Sequence, residues 1–481
     1  MFCGDWDLVS NGIEVDSIDE VINLPIDYLR IKKLAIERNE DFSIEIKMLG
    51  ESDEKFCYKQ TGTHGTIQSH GTIVCSVYGE RDLIIDHCCY VGCKEKYLCH
   101  EQKYQFEIML RAYAIRIQQN LQYEVEVCKD CFINFVSNPF VLMGLNEREK
   151  QSILTKNLGD DLRQLVESRK VDNGKFHVRY GRNAFDILNV DKAQAPEWSG
   201  KIIIEYRKEY GYIPSEEERA RISNFISFLL GKQLLSVCSM EYDSNMNLIR
   251  GDYYNAKTFD FDLKQICKES ERPPINYREY KNRYVFINAL ELLLPKYLEV
   301  YETYHFIETF NYYWYAKMLS VDVNLPLAAT VLERIMRCWF ASKKSKTKGV
   351  LISSQEYNKL TEDLISKIEV KLGDYEYKQN IINRIKGCYN MGVRERFDIF
   401  FEEINLQVGD LERKALKERN IMTHGGSNCN DEELQKQLLV NGAYFVLLNR
   451  VILKIIGYKG DYIDYAAIGC PDKNISEVAG E

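Results

Sequence analysis

No uncharged apolar run in this chain reaches the ~18 residues that a membrane-spanning helix needs. The most apolar late segment, "LLVNGAYFVLLNRVILKIIGY", is interrupted by Arg450 and Lys454. The opening "MFCGDWDLVSNG" has neither the basic flank nor the apolar stretch of a secretory signal. These absences lead us to expect a cytoplasmic protein with no membrane partner. Phosphate-cradling glycine loops, nucleophile elbows and dinucleotide fingerprints are also missing, so chemistry on ATP or NAD has no support. Internal repeats are absent. A globally basic surface is absent too: the net charge is −9, and residues 281–481 sum to zero. That excludes a globally basic nucleic-acid binder. It leaves room for a nuclease with a local basic cleft, because phosphate contacts need only a patch.

Cysteine is present without the spacing of a disulfide framework. There are 15 in 481 residues, nine of them before residue 132, and reduced thiols are the expectation for so long a chain. "VCKDCF" puts Cys128 and Cys131 at CxxC spacing, and "HCCYVGCKEKYLCH" supplies Cys93 and Cys99 among further cysteines and histidines. A CxxC knuckle on a turn, with a second cysteine pair, builds a tetrahedral structural zinc site. Cys93, Cys99, Cys128 and Cys131 are the candidate ligands, and buried free thiols in a β-core are the alternative. No His-Glu signature precedes the CxxC, as a zinc deaminase would require.

At 45% hydrophobic and 28% charged residues, the composition is that of an ordinary globular protein, and the length calls for two or three domains. Residues 1 to about 270 show the two-residue period of strands in "FSIEIKML", "GTIVCSVYG", "DLIIDHCCYVG", "YEVEVCKDCFINFV" and "KIIIEYR". "QFEIMLRAYAIRIQQN" fits a strand or a helix. "PSEEERARISNFISFLLGKQL" predicts a helix opened by Pro214 and Ser215 and ended by Gly231, with a hairpin after it. The Pro pair in "ESERPPINYREY" marks a boundary. Beyond it, residues 285–460 carry long helical periodicity, and 461–481 reads as a tail. The fold class expected is α+β: a mostly-β N-terminal region followed by an all-α bundle.

The chemistry-bearing stretch is "LERKALKERNIMTHGGSNCNDEEL", with Arg419 and Asn420 shortly before His424 and a Gly-Gly. Spacing alone means little, since an Arg four to six residues before a His is expected about once by chance, and Arg81 with His87 inside a predicted strand is such a case. Context separates the two. Leu411 to His424 reads as a helix, Gly425 and Gly426 fit a left-handed cap, and Asn430 with Glu433 opens the next helix. Unpaired carbonyls at that helix end favour imidazolium, which suits His424 to a proton donor or shuttle near neutral pH. Asn420 is one turn back, whereas Arg419 is about 140° away around an ideal helix. Arg419 reaches the same point from a frayed last turn or across an interface with another chain. A guanidinium, an amide and an imidazole without a nearby acid suit metal-free RNA cleavage, in which the RNA's own 2′-OH attacks phosphorus. The bland alternative is a capping histidine among solvated charges. "ASKKSKTKG" gathers Lys343, Lys344, Lys346 and Lys348, either as a solvated connection or as an RNA backbone contact. Glu333 and Arg334 in "VLERIM" read as a buried pair supporting the bundle rather than as a third catalytic group.

A helical bundle with "KERNIMTHGG" at the end of its penultimate long helix resembles the HEPN superfamily, whose ribonucleases carry Asn directly after Arg. The order of regions, with "LAATVLERIMRCWF" in the bundle and "ERARISNFISFLLGKQLLSVCSMEYDSNMNLIRG" before the boundary, is similar to that of ApeA-like abortive-infection ribonucleases. The resemblance implies a HEPN-like bundle over 285–460 and an N-terminal sensor or regulatory region. It also implies a metal-independent endoribonuclease in antiphage defence. Its partners would be an RNA substrate (tRNA among the candidates), a second copy of the chain or more, and a phage trigger. Arg419 and His424 would be catalytic with Asn420 as the polar neighbour, and no cofactor would be needed for catalysis. Only Arg413, Lys414 and Lys417 are basic near the motif. The rival readings are a non-catalytic HEPN-like protein that binds RNA or a partner, and a zinc-stabilised structural or sensor protein.

Overall fold

The computed structural model describes residues 13–15, 17–22, 24, 30–39, 42–55, 71–77, 81–119, 124–135, 175–189, 200–255, 272–276, 283–342, 344–423 and 431–480. The chain divides into two compact units, Met1–Arg272 with Tyr277–Leu294, and Pro273–Asn276 with Pro295–Glu481. The class is α+β, with a large antiparallel sheet in the first half and helices in the second.

Fourteen described strands form the sheet. They are β1 (Ile13–Glu14), β2 (Ser17–Ile22), β3 (Arg30–Arg38), β4 (Ile44–Ser52), β5 (Gly71–Val77), β6 (Arg81–Leu98) and β7 (Lys103–Ala112), followed by β8 (Ala114–Gln119), β9 (Val127–Phe135), β10 (Lys175–Tyr180), β11 (Asn183–Asn189), β12 (Gly200–Arg207), β13 (Leu235–Tyr242) and β14 (Leu248–Tyr254). Their order is β1-β3-β4-β7-β6-β8-β14-β13-β9-β12-β11-β10, with β5 pairing β6 and β2 pairing β5. Burial follows the sequence alternation: Ile44, Ile46 and Met48 of β4 are buried while the residues between them are half-exposed. A side-chain period of two sends alternate residues to opposite faces, so only one register buries all three.

β6 belongs to two neighbourhoods. Its first half pairs with β5 and β8, and from Cys89 onward it pairs with β7. His87 sits at the change of partner with φ +55, a left-handed backbone that His tolerates better than most side chains. The segment that fits strand or helix is two strands, β7 and β8, parted at Tyr113, whose N–H donates to the Asp86 carbonyl at 3.3 Å. Helix α1 (Glu216–Leu230) has the ends expected from sequence. The Ser215 hydroxyl accepts from the Glu218 N–H, and Gly231 closes it at φ +69.

The helices that follow are α2 (Arg283–Val300), α3 (Phe306–Met318), α4 (Val321–Ala341), α5 (Ser354–Leu372), α6 (Lys378–Gly387), α7 (Val393–Glu403), α8 (Asp410–Thr423) and α9 (Asp431–Ile455). α4 is the hub of the second unit and packs against α3, α7, α8 and α9. Ala328, Val331, Leu332 and Ile335 of α4, with Val440, Tyr444, Leu447 and Val451 of α9, are fully or almost fully buried. Each large apolar side chain removed from water in this way contributes about 1.5–3 kcal/mol.

The residues of α3, "FIETFNYYWYAKM", favour strands on their own. Burial of Phe306, Phe310, Tyr313 and Trp314 along one helical face overrides that preference. Gln435–Ile455 is apolar and long enough to cross a membrane, yet two-thirds of it is buried inside the protein, as in a core helix. The described residues 461–480, expected as a tail, are folded. β15 (Asp461–Ile463) and β16 (Asp472–Asn474) make a small hairpin, and Tyr462, Asp464, Ile475 and Ala479 are buried.

Candidate functional site

α8 is fixed at its first turn by a charge pair that is wholly out of water. Arg450 of α9 and Glu412 of α8 are both 0% exposed, and the guanidinium Nη1 donates to Glu412 Oε1 at 2.5 Å. The other carboxylate oxygen accepts from the Gly409 N–H at 2.9 Å, the backbone half of a capping box. Arg450 Nη2 also donates to the Gln407 carbonyl at 2.9 Å and to the Ile475 carbonyl at 3.3 Å. Its guanidinium carbon lies 5.0 Å from the centre of the Tyr462 ring. Burial pushes the Glu412 carboxyl upward, against the opposing pull of Arg450 and the Gly409 amide. One pair thus ties α8, α9 and the C-terminal hairpin together.

In the sequence, Arg450 is only a break in an apolar segment. A lone Arg among aliphatic residues demands a buried acid, and Glu412, three residues after Gly409, is where a capping acid belongs.

The far end of α8 carries the Arg-Asn-His stretch. Arg419 and Asn420 are in the helix, which ends at Thr423, one residue short of the sequence expectation. The side chains of Arg419 and Asn420 lie outside the described residues, as do His424, Gly425, Gly426 and Asn430. α9 begins at Asp431, where Asn430 was expected to cap it. The helix therefore puts Arg419 and Asn420 in its last two turns, with His424 directly following. The look-alike pair is built differently: Arg81 and His87 are on β6, and His87 makes the bend in that strand.

The four cysteines expected to share a zinc are not brought together. Cys128 and Cys131 are three apart on β9, in mid-strand rather than on a turn, so their side chains leave opposite faces. Cys128 faces Asp130 and Ser239, with Sγ 3.9 Å from the serine hydroxyl, and burial pushes its thiol well above the usual range. Cys131 is buried opposite Ile203 of β12 and Cys238 of β13. Cys93 is on β6 opposite Ile108 of β7, and Cys99 is exposed in the turn after β6. Among the described residues, no group of three or more His, Cys, Asp or Glu is placed to hold a metal. These residues do not fit a tetrahedral site, because a continuous strand cannot converge both thiols of a CxxC.

The face of β9 that carries Cys128 contains a different cluster. Arg219 Nε of α1 donates to Asp130 Oδ2 at 3.0 Å, Arg219 Nη1 donates to the Pro214 carbonyl at 2.9 Å, and the Ser239 hydroxyl donates to Asp130 Oδ1 at 2.7 Å. Burial pushes the Asp130 carboxyl up, while Arg219 and Ser239 draw it back. This network docks α1 on the sheet beside a cleft of about 430 Å³. Glu333 and Arg334 do not pair with each other: Glu333 holds Arg337 at 3.2 Å, and Arg334 holds Glu308 at 3.4 Å.

Compared with known proteins, the chain matches no family model, no curated sequence and no solved structure.

Proposed function

We propose that the protein is a metal-independent endoribonuclease of the HEPN class, acting in antiphage abortive infection, with the sheet unit as its sensor or regulatory part. One observation carries this reading. A mostly helical unit anchors the first turn of α8 through Glu412 and Arg450, and the last turns of α8 hold Arg419 and Asn420 shortly before His424. In this reading the 2′-hydroxyl oxygen attacks the adjacent phosphorus and loses its proton to His424. The bond from phosphorus to the 5′-oxygen breaks, and that oxygen takes up a proton from the same imidazole or its counterpart on a second copy. Arg419 binds the phosphate and offsets the charge that develops on it. Asn420 orients the phosphate or the imidazole. Two copies of the chain meeting at their motifs would bring Arg419 and His424 to one phosphate despite their separation around the helix.

The products are a 2′,3′-cyclic phosphate and a 5′-hydroxyl. End-group analysis of cleaved RNA tests this, and fragments bearing 5′-phosphate and 3′-hydroxyl ends would refute the mechanism.

A further inference from the structure

In a chain with 72 acidic residues, two segments of the helical unit have none: 334–355, between Glu333 and Glu356, and 377–394, between Glu376 and Glu395. The fold joins them. Val350 bridges to Asn390, the Leu351 N–H donates to the Tyr389 carbonyl at 2.9 Å, and the Met391 N–H donates to the Gly349 carbonyl at 3.4 Å. Lys344, Lys346 and Lys348 are exposed on one segment, and Arg384, Lys386 and Arg394 are exposed on the other. Lys344, Lys346, Arg384, Lys386 and Arg394 form no ion pair with a described residue.

The lysine loop is also built rather than loose. Glu403 of α7 accepts from the Lys346 N–H at 3.0 Å and the Thr347 N–H at 3.2 Å through Oε1, and from the Trp339 indole at 2.5 Å through Oε2. Ser345 is buried and its hydroxyl accepts from the Lys348 N–H at 3.2 Å. Gly349 sits at φ +69 under Phe340, where an added Cβ would lie 3.3 Å from the ring, so a side chain there is strained and crowded. Buried Ser345 and Gly349 alternate with the lysines, which are thereby presented outward from a held backbone. Tyr389, part-exposed at the join, offers a ring on which a base can stack.

We propose that this junction of the α4–α5 loop with the C-terminal end of α6 binds the phosphate backbone of single-stranded RNA, as a contact separate from the Arg-Asn-His stretch. The choice of RNA among polyanions rests on the ribonuclease reading; the concentration of unpaired cations does not. Each lost phosphate contact on a single strand lowers the salt slope of binding by about 0.7.

The binding arms all use the full chain with His424→Ala, a labelled single-stranded RNA oligonucleotide, fluorescence anisotropy over a salt series, and thermal melts to confirm folding; a separate cleavage assay uses the chain that keeps His424. Lys344→Ala with Lys346→Ala should weaken binding about three- to tenfold and reduce the slope by about 1.4, and Arg384→Ala with Lys386→Ala should do the same. Lys359→Ala with Lys367→Ala, the same charge change on exposed α5, should alter neither. The proposal is overturned if the junction pairs behave like that control, if the oligonucleotide does not bind, or if anionic vesicles bind the junction in preference to RNA. Junction-dependent binding with no cleavage by the His424-bearing chain would keep the junction and discard the nuclease. Cleavage with unaltered binding in both junction pairs would discard the junction and keep the nuclease.

Discussion

The two units each bury an arginine–carboxylate pair, and the pairs sit in unlike surroundings. In the sheet unit, Arg219 and Asp130 keep 7% and 9% of their side-chain surface, share Ser239, and border a cleft. In the helical unit, Glu412 and Arg450 keep none, and every other bond they make is to backbone that caps or joins elements. The first pair docks one helix on a sheet that is already held by its strand ladder. The second fixes the direction of the helix that carries the candidate catalytic residues. A buried pair adds little stability over a well-packed apolar substitute, yet removing one partner leaves a charge with no solvent. The helical unit should therefore be the more sensitive of the two to a single substitution.

That comparison breaks most readily at α8. Glu412→Ala or Arg450→Ala should cost about 3–5 kcal/mol in denaturant melts and abolish any activity that depends on α8. Replacing both together, Glu412→Leu with Arg450→Met, should recover most of the loss. A double variant as unstable as the singles would shift the weight to the carbonyl bonds of Arg450. Arg219→Ala should cost less, about 1–3 kcal/mol, because Asp130 keeps the bond from the Ser239 hydroxyl and lines the cleft. A loss equal to that at Glu412 would erase the distinction between the units.

Smaller again is the effect at Glu403, whose Trp339, Lys346 and Thr347 bonds hold its carboxyl below the usual range although burial opposes them. A lowered carboxyl stabilises the fold above the ordinary carboxylate value and loses that contribution as pH falls through its own, lower value. Glu403→Gln should cost about 1 kcal/mol and remove an acid transition in Trp339 fluorescence. A transition that persists in the variant would place its source elsewhere.

Much of the architecture was legible in the sequence. Period-two runs marked β4, β5, β9 and β12, and Ser215 and Gly231 marked both ends of α1. The end of α8 was legible because a charged, breaker-free helix running into Gly-Gly has few other readings. What escaped is set by tertiary contact. The aromatic residues of α3 form a helix only because the bundle buries one face, and the hairpin after α9 is held by Arg450 and Asp464 rather than by any local period. The CxxC spacing of Cys128 and Cys131 misled for the same reason: it implies a knuckle only on a turn, and the ladder with β12 and β13 keeps it extended.

The central claim is that the end of α8 cleaves RNA without a metal. Purified wild type and His424→Ala, each incubated with total cellular RNA in excess EDTA, test it on one denaturing gel. The account predicts discrete fragments from wild type and intact RNA from the variant. Equal fragmentation by both proteins, or cleavage that appears only when a divalent cation is supplied, would contradict it.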